Sequence, residues 1–171
     1  MGGQESTAKA PRLLTEQHLR QWKTVFEHLT GLQLTREREP VVRAVLQDRI
    51  DRSNCASADH YLTQLQNSPS FSRLEWDALI AKVVIGETRF FRYGSTFNFI
   101  SRYFTEKLQA NAEPSKLTAW SVGCSSGEEA YSLAMLLHSL CKGMGGSVPF
   151  SVVGTDINGV SLKHASQGIY R

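Results

Sequence analysis

Apolar residues in the first half of the chain recur at intervals of three and four positions, the period of amphipathic helices. Between Leu13 and Leu29 this pattern predicts a helix that begins near Thr15 and ends at Gly31. Further helices are predicted over residues 35–52, 57–66, 70–84 and 95–110. Because Pro40 lies inside the first of these ranges, either the first turn of that helix is irregular or the helix begins near Pro40 itself.

The pattern changes after residue 114 to a strand, a helix and a second strand. The predicted strand Leu117–Val122 ends in Gly-Cys-Ser-Ser-Gly, and the largely apolar helix Glu128–Cys141 follows it. A second strand over Val148–Gly154 and a helix over 158–166 complete the pattern. This order is typical of a βαβ unit in a parallel sheet, with a glycine turn at the carboxyl end of the first strand. The predicted fold class is α/β, with a small all-helical N-terminal domain before the opening βαβ part of a Rossmann-like domain.

These changes divide the sequence into four predicted parts. They are a mobile polar tail at 1–12, a helical N-terminal domain at 13–85, a segment with a linker helix at 86–115, and the start of an α/β domain at 116–171.

Composition and charge exclude several classes of protein. Apolar residues make up 41% of the 171 positions and charged residues 20%, which suffices for a core and argues against a disordered chain. The longest nearly apolar stretch, Leu133–Leu137, is far shorter than the ~20 residues that span a bilayer, and the first twelve residues contain no signal-peptide core. Three cysteines without a C-x-x-C pair are typical of a reducing compartment, and a net charge of +3 is too small to imply nucleic acid. We therefore expect a cytoplasmic protein without a metal site, a nucleic-acid partner or membrane insertion.

The glycine turn, Gly123–Gly127, lies where open α/β sheets bind their ligands. Glycine lets a ligand approach the backbone, although βα turns without a ligand are also often rich in Gly and Ser. A Walker-type phosphate cradle needs a Lys after the last glycine, whereas Glu128 and Glu129 follow here and would repel a pyrophosphate. The acidic turn favours instead a ligand that carries a cation.

Two functional hypotheses remain for this turn. It matches the G-x-S-x-G nucleophile elbow of serine hydrolases, with Ser125 followed by Asp156 and His164 in the order that those enzymes use. No strand is predicted upstream of Leu117, however, and His164 falls on a helix. The other hypothesis is a nucleotide pocket like that of methyltransferases, in which an acid at the end of the second strand accepts both ribose hydroxyls, and Asp156 has that position.

Three strings occur in order along the chain. They are Glu87-Thr-Arg-Phe-Phe-Arg92, then Trp120-Ser-Val-Gly-Cys-Ser-Ser-Gly-Glu-Glu-Ala-Tyr-Ser132, then Gly154-Thr-Asp-Ile-Asn158 with Gly168-Ile-Tyr-Arg171 after it. Together they resemble the chemotaxis receptor methyltransferases of the CheR type. Gly31-Leu-Gln-Leu34 before an arginine-rich helix also resembles the N-terminal domain of that family, so the resemblance covers about residues 13–171.

The resemblance implies an S-adenosylmethionine-dependent enzyme with a class I methyltransferase domain. Its substrates would be glutamate side chains on the cytoplasmic helical bundle of chemoreceptors, and S-adenosylhomocysteine would be its product. The implied cofactor-binding residues are Gly86, Thr88, Arg92, Gly123, Glu129 and Asp156. Arg92, which is also the implied catalytic residue, and Thr88 would contact the methionine end of the cofactor. Glu129 would bind the α-ammonium group, and Asp156 would bind the ribose hydroxyls.

The chain departs from the family in two ways. Gly86 stands where members often have Asn, and the sequence stops at Arg171, before the rest of the sheet and a small β-subdomain used for docking. A sheet of only two strands leaves apolar edges open for pairing with another chain. We therefore expect these 171 residues alone to be inactive and able to self-associate through the incomplete sheet. The alternative is a receptor-binding module without catalysis.

The helix predicted over 35–52 is rich in arginine. At about 100° per residue its apolar residues form one arc, made of Val42, Val45, Leu46 and Ile50. The resemblance implies that some of the arginines meet the acidic methylation region of a receptor; the candidates are Arg36, Arg43, Arg49 and Arg52. One alternative is a solvated face on which they pair with nearby Glu and Asp residues. Nucleic-acid binding is a weaker alternative, because the interleaved acids would oppose it.

Overall fold

The computed structural model describes residues 13–84, 86–110, 116–143 and 148–171. Within these ranges the protein is mostly helical and has one two-stranded parallel sheet. The elements are α1 (Glu16–Thr30), a 3₁₀ turn (Arg36–Arg38), α2 (Glu39–Arg52), α3 (Ala58–Asn67), α4 (Pro69–Val83), α5 (Gly94–Ala110), β1 (Leu117–Val122), α6 (Glu128–Gly143), β2 (Phe150–Thr155) and α7 (Gly159–Gln167). They form two compact units, of which the first ends at Val84. The predicted tail at 1–12 lies outside the described residues, and none of the described helices combines the length and the apolar composition that crossing a membrane requires.

Local capping explains where α1 begins and ends. The Thr15 hydroxyl accepts a hydrogen bond from the His18 N–H, and the His18 ring in turn accepts one from the Thr15 N–H. Gly31 ends the helix at a φ of +70°, in the left-handed region that favours glycine. Both boundaries were predicted from the sequence and are confirmed. At α2 both alternatives for Pro40 are observed. An irregular 3₁₀ turn comes first, and the α-helix then begins at Glu39 with Pro40 in its first turn.

The first unit encloses an aromatic and aliphatic core. Trp22 and Phe26 of α1 stack at 4.8 Å between ring centroids, and Trp76 of α4 lies 6.1 Å from Trp22. The predicted apolar arc of α2 faces this core: Val42, Leu46 and Ile50 are buried, and Val45 packs beside them. Full burial of each large apolar side chain contributes about 1.5–3 kcal/mol, so this packing stabilises the unit.

One ion pair is built into the same core. Glu75 of α4 is only 8% exposed and binds Arg49 of α2 through two contacts, from Nε to Oε2 at 3.0 Å and from Nη2 to Oε1 at 2.5 Å. The Tyr61 hydroxyl donates to Glu75 Oε2 at 2.9 Å. Three helices, α2, α3 and α4, therefore meet at the Glu75 carboxylate, which accepts hydrogen bonds from the Arg49 guanidinium and the Tyr61 hydroxyl.

The second unit contains the βαβ motif. β1 and β2 pair in parallel from Leu117 opposite Phe150 to Val122 opposite Thr155, and α6 connects them. Both α5 and α6 pack on the sheet through a cluster that includes Phe104, Leu117 and Leu137. The predicted βαβ unit is thus confirmed. β2 begins later than predicted, at Phe150, because Pro149 has no N–H with which to join a ladder.

The opposite face of the sheet is exposed. Trp120, Val122 and Val153 point away from α5 and α6, and their exposed fractions are 66%, 67% and 51%. The indole N–H of Trp120 donates to the Thr155 hydroxyl at 3.0 Å across the two strands. Self-association through this sheet stays a prediction.

Candidate active site at the carboxyl ends of the strands

The glycine turn joins β1 to α6 and is bound to the end of β2. The N–H groups of Gly123 and Cys124 both donate to the carbonyl of Thr155, at 2.7 and 2.9 Å. Gly123 and Gly127 have φ values of +75° and +101°, and Ser125 also lies in the left-handed region at +50°. The turn therefore curls over the carboxyl ends of both strands and presents the N-terminus of α6 there, as ligand sites in α/β folds do.

Asp156 follows β2 directly and is held by two backbone donors. The Ser125 N–H donates to its Oδ2 at 2.7 Å, and the Asn158 N–H donates to its Oδ1 at 2.7 Å. Each carboxylate oxygen can accept more than one hydrogen bond, so both retain capacity for a ligand hydroxyl. The arrangement fixes a half-buried negative charge beside the glycine turn.

A small cavity of about 90 Å³ brings together four of the six predicted cofactor residues, Thr88, Arg92, Gly123 and Glu129. Its other lining residues are Glu87, Arg89, Tyr93 and Phe97. The remaining two predicted residues lie outside this lining, on either side of Ser125. The hydroxyl of Ser125 donates to the Gly86 carbonyl at 3.0 Å, and its N–H donates to Asp156.

The cavity is lined by charged side chains of both signs. The Arg92 guanidinium donates to the Glu87 carbonyl at 2.6 Å and lies 5.1 Å from the centroid of the Tyr93 ring. Its nearest carboxylate belongs to Glu87, at 3.4 Å, on a side chain that is 76% exposed. Glu129, which lines the same cavity, accepts a hydrogen bond from the buried Ser121 hydroxyl at 2.6 Å. Such a site matches a zwitterion that carries one carboxylate and one ammonium group.

A larger cleft of about 380 Å³ lies between α6, α7 and β2. Its lining is made of small and apolar residues such as Ala130, Ala134 and Val152, and no charged side chain contributes to it. Cys124 lines the cleft, and burial, followed by the negative charge of Asp156, raises the pKa of its thiol, which therefore stays protonated. The smaller, charged cavity is the better candidate site.

A family model described as CheR methyltransferase, SAM binding domain, matches residues 86–171, which include every residue of the charged cavity. The chain belongs to the CheR methyltransferase family. The predicted family and its cofactor, S-adenosylmethionine, are thereby confirmed.

Curated relatives of this CheR-family chain include methyltransferases of two descriptions. The chemotaxis protein methyltransferases of Borreliella burgdorferi and Escherichia coli are each 28% identical to it, over 86% and 92% of this chain and 52% of each relative. The probable biofilm formation methyltransferase WspC of Pseudomonas putida is 34% identical over 82% of this chain and 31% of WspC. The chain thus spans about half the length of the chemotaxis methyltransferases that it matches.

The donor set of the CheR-family site fits S-adenosylmethionine. The cofactor has an α-carboxylate, an α-ammonium group and two vicinal ribose hydroxyls, and the site holds a guanidinium on Arg92 and carboxylates on Glu129 and Asp156. At position 86, where relatives are expected to have Asn, a Cβ would lie 2.8 Å from Ser125 Oγ. Glycine at this position therefore lets the Ser125 hydroxyl reach the carbonyl of residue 86.

The hydrogen bonds of Ser125 do not match a serine hydrolase. Its hydroxyl donates to a backbone carbonyl, and Asp156 binds its N–H rather than a histidine. His164 is exposed, with its ring 5.6 Å from that of Tyr170, and within the described residues no histidine hydrogen-bonds to Ser125. The described residues likewise include no group of three His, Cys, Asp or Glu that could hold a metal ion.

Ser132 has a role that the sequence did not reveal. Its fully buried hydroxyl donates to the Glu128 carbonyl at 2.6 Å and accepts the Phe91 N–H at 3.0 Å. Phe91 has a φ of +50°, a strained conformation for a non-glycine residue, and Arg92 follows it directly. Ser132 therefore anchors the backbone that presents Arg92. No local pattern signals this role, because the two residues are 41 positions apart.

The four arginines predicted to bind a receptor have different surroundings in the first unit. Arg36 is exposed, and Arg43 pairs with Glu16, which is exposed, and donates to the Leu14 carbonyl. Arg52 pairs with Asp48 one helical turn away, at 2.6 Å. Arg49 is held by Glu75 inside the core, as described above. Arg36 and Arg43 are therefore more available to a partner than Arg49.

Proposed function

We propose that this protein is a methyltransferase that uses S-adenosylmethionine to form methyl esters on glutamate side chains of chemoreceptor cytoplasmic helices. The observation that carries the proposal is the cavity lined by Arg92 and Glu129, together with the anchored Asp156 beside the glycine turn, in a chain of the CheR family. The names of its relatives, chemotaxis protein methyltransferases, support chemoreceptors as the substrate.

The polar groups of the methionine and ribose parts of the cofactor each have a proposed partner. Arg92 binds the α-carboxylate with its fork of donors, with Thr88 beside it, and Glu129 binds the α-ammonium group. Asp156 accepts hydrogen bonds from the ribose hydroxyls. Gly86 and Gly123 allow the backbone to approach the ligand closely.

The reaction requires alignment more than activation. When bound, S-adenosylmethionine supplies a methyl group on a sulfonium, which is already a good leaving group. The acceptor carboxylate of a glutamate is ionised at neutral pH, so no residue of the protein has to remove a proton from it. The residues of the cavity orient the two reactants and exclude water, and Arg92 acts as a catalytic residue by fixing the methionine end.

We further propose that different parts of the chain bind the receptor and the cofactor. The helical part, residues 13–85, recognises the receptor, and residues 86–115 and 116–171 bind the cofactor. Within the helical part, Arg36, Arg43 and Arg52 meet the acidic methylation region of the receptor, because each is more exposed than Arg49. Arg49 is held by the buried Glu75 carboxylate and contributes less.

Calorimetry with S-adenosylhomocysteine tests the cofactor site in the complete protein. Arg92→Ala and Asp156→Ala each remove a charged hydrogen-bond partner, which costs about 1.5–3 kcal/mol, or on the order of ten- to a hundredfold in affinity. Arg102→Ala and Asp77→Ala, two exposed positions on α5 and α4, are the matched controls and should bind like the wild type. Wild-type affinity in both site variants would refute the assignment of the pocket.

Transfer of labelled methyl groups tests the reaction itself. We expect the complete protein to label a purified chemoreceptor cytoplasmic fragment, and the label to be released by mild base as expected for a methyl ester. Replacement of the receptor glutamates by alanine should abolish the labelling. Receptor binding without any labelling would favour the alternative, a receptor-binding module without catalysis.

A further inference from the structure

Tyr170, which is 44 positions after Ser126, contacts the glycine turn and three aromatic rings near it. It belongs to the Gly168-Ile-Tyr-Arg171 string, to which no chemical role was assigned. Its hydroxyl donates to the Ser126 carbonyl at 2.7 Å. Its ring meets those of Phe90, Tyr131 and His164 edge-on, with centroids 5.0, 5.5 and 5.6 Å away.

These contacts reach two chain segments that contribute residues to the charged cavity. Ser126 lies in the glycine turn that leads to Glu129, and Phe90 lies two residues before Arg92. One side chain thus touches the two segments that carry the positive and the negative group of the site. The turn is also shaped to receive the phenol, since a Cβ at Gly127 would lie 2.6 Å from Tyr170 Oη. Burial raises the pKa of Tyr170, so its hydroxyl remains a donor at neutral pH.

We propose that Tyr170 is a positioning residue that holds the Arg92 and Glu129 segments at the separation needed for the amino-acid end of the cofactor. The inference rests on the proposed function. The proposal concerns only the amino-acid end of the cofactor. Asp156, the proposed partner of the ribose, is anchored by the Asn158 N–H as well as by the turn. The ribose end therefore keeps an anchor that does not depend on Tyr170.

This difference between the two ends defines the experiment. Affinities of the complete protein are measured by calorimetry for S-adenosylhomocysteine and for 5′-methylthioadenosine, which lacks the amino-acid end. Tyr170→Phe removes one hydroxyl and keeps the ring. We expect about three- to tenfold weaker binding of S-adenosylhomocysteine, the effect of one neutral hydrogen bond, and less than twofold change for 5′-methylthioadenosine.

Tyr131→Phe is the matched control. It removes a neighbouring phenol hydroxyl, which donates to the Ala165 carbonyl of α7 at 3.1 Å and does not contact the turn. We expect its affinity for both ligands to stay within twofold of wild type. Phe90→Leu tests the second contact, and it should weaken S-adenosylhomocysteine selectively, as Tyr170→Phe does. Circular dichroism of each variant verifies that it is folded.

The possible results separate this inference from the proposed function. Selective loss of S-adenosylhomocysteine in Tyr170→Phe supports a positioning role. Equal losses for the two ligands would mean that the residue only stabilises the fold, and unchanged affinities would mean that it does nothing at the site; either result overturns the inference alone. A wild-type protein that binds neither ligand would overturn the proposed function and this inference with it.

Discussion

Arg49 provides a direct test of whether an arginine of α2 stabilises the core of the first unit or binds a partner protein. We consider Arg49→Met, which keeps the aliphatic length of the side chain and removes the guanidinium. Among the residues that the structure describes, Glu75 then keeps only the Tyr61 hydroxyl as a hydrogen-bond partner, in a site where its side chain is 10% exposed. An uncompensated charge in such a site favours unfolding.

The expected loss of unfolding free energy in Arg49→Met follows from the burial of the Arg49–Glu75 pair. Removing one partner of a fully buried ion pair costs about 3–5 kcal/mol, whereas an exposed pair contributes under about 1 kcal/mol. The Arg49 side chain is 24% exposed, so the pair lies nearer the buried limit, and we expect a loss of about 2–4 kcal/mol. For a unit of this size the loss lowers the melting temperature by roughly 8–32 °C.

The assay follows the first unit alone by tryptophan fluorescence. The sequence has three tryptophans, of which Trp22 and Trp76 pack together in the first unit and Trp120 is exposed in the second. In a Trp120→Phe background, thermal or urea unfolding therefore reports only the helical core. Arg36→Met, at an exposed arginine, is the control and should change the unfolding free energy by less than about 0.5 kcal/mol.

A compensating variant identifies the cause of the loss. If the unpaired carboxylate is responsible, Arg49→Met combined with Glu75→Leu should recover part of the stability, because an apolar pair can replace a buried ion pair. The reasoning is refuted if Arg49→Met is as stable as Arg36→Met. A variant of normal stability with impaired receptor methylation would return Arg49 to the receptor-binding set.

Two further predictions concern the same unit. Burial, followed by the negative charge of Glu75, raises the pKa of Tyr61 above its usual range, so the folded protein keeps a proton that an unfolded tyrosine releases near pH 10. The unfolding free energy should therefore fall as the pH rises above about 10, and Tyr61→Phe should make that fall shallower in urea titrations between pH 8 and 11; equal slopes would contradict the prediction. Arg36→Glu should slow receptor methylation without changing cofactor affinity, and its difference from wild type should shrink as salt is added; a difference that salt leaves unchanged would exclude electrostatic docking at this residue.

The helices and strands could be predicted because the sequence patterns that specify them are local. A helix period, a cap or a glycine turn involves residues within a few positions of each other, so Thr15 and Gly31 mark α1 correctly. Pro149 was the exception, since the missing N–H of this proline moves the start of β2 from Val148 to Phe150. Family strings also predicted the set of cofactor residues, and the structure places four of those six around one cavity.

The roles of other residues were decided only by the tertiary structure. By itself, the sequence determined the helical and βαβ segments, the acidic glycine turn and the residue types of the site, because these depend on spacing along the chain. It did not determine that Glu75 would select Arg49, that Ser132 would hold Phe91, or that Tyr170 would bind Ser126, since these partners are 26, 41 and 44 positions apart. Whether a polar side chain serves a ligand, the core or the turn depends on which segments pack beside it, and packing depends on the folding of the whole unit.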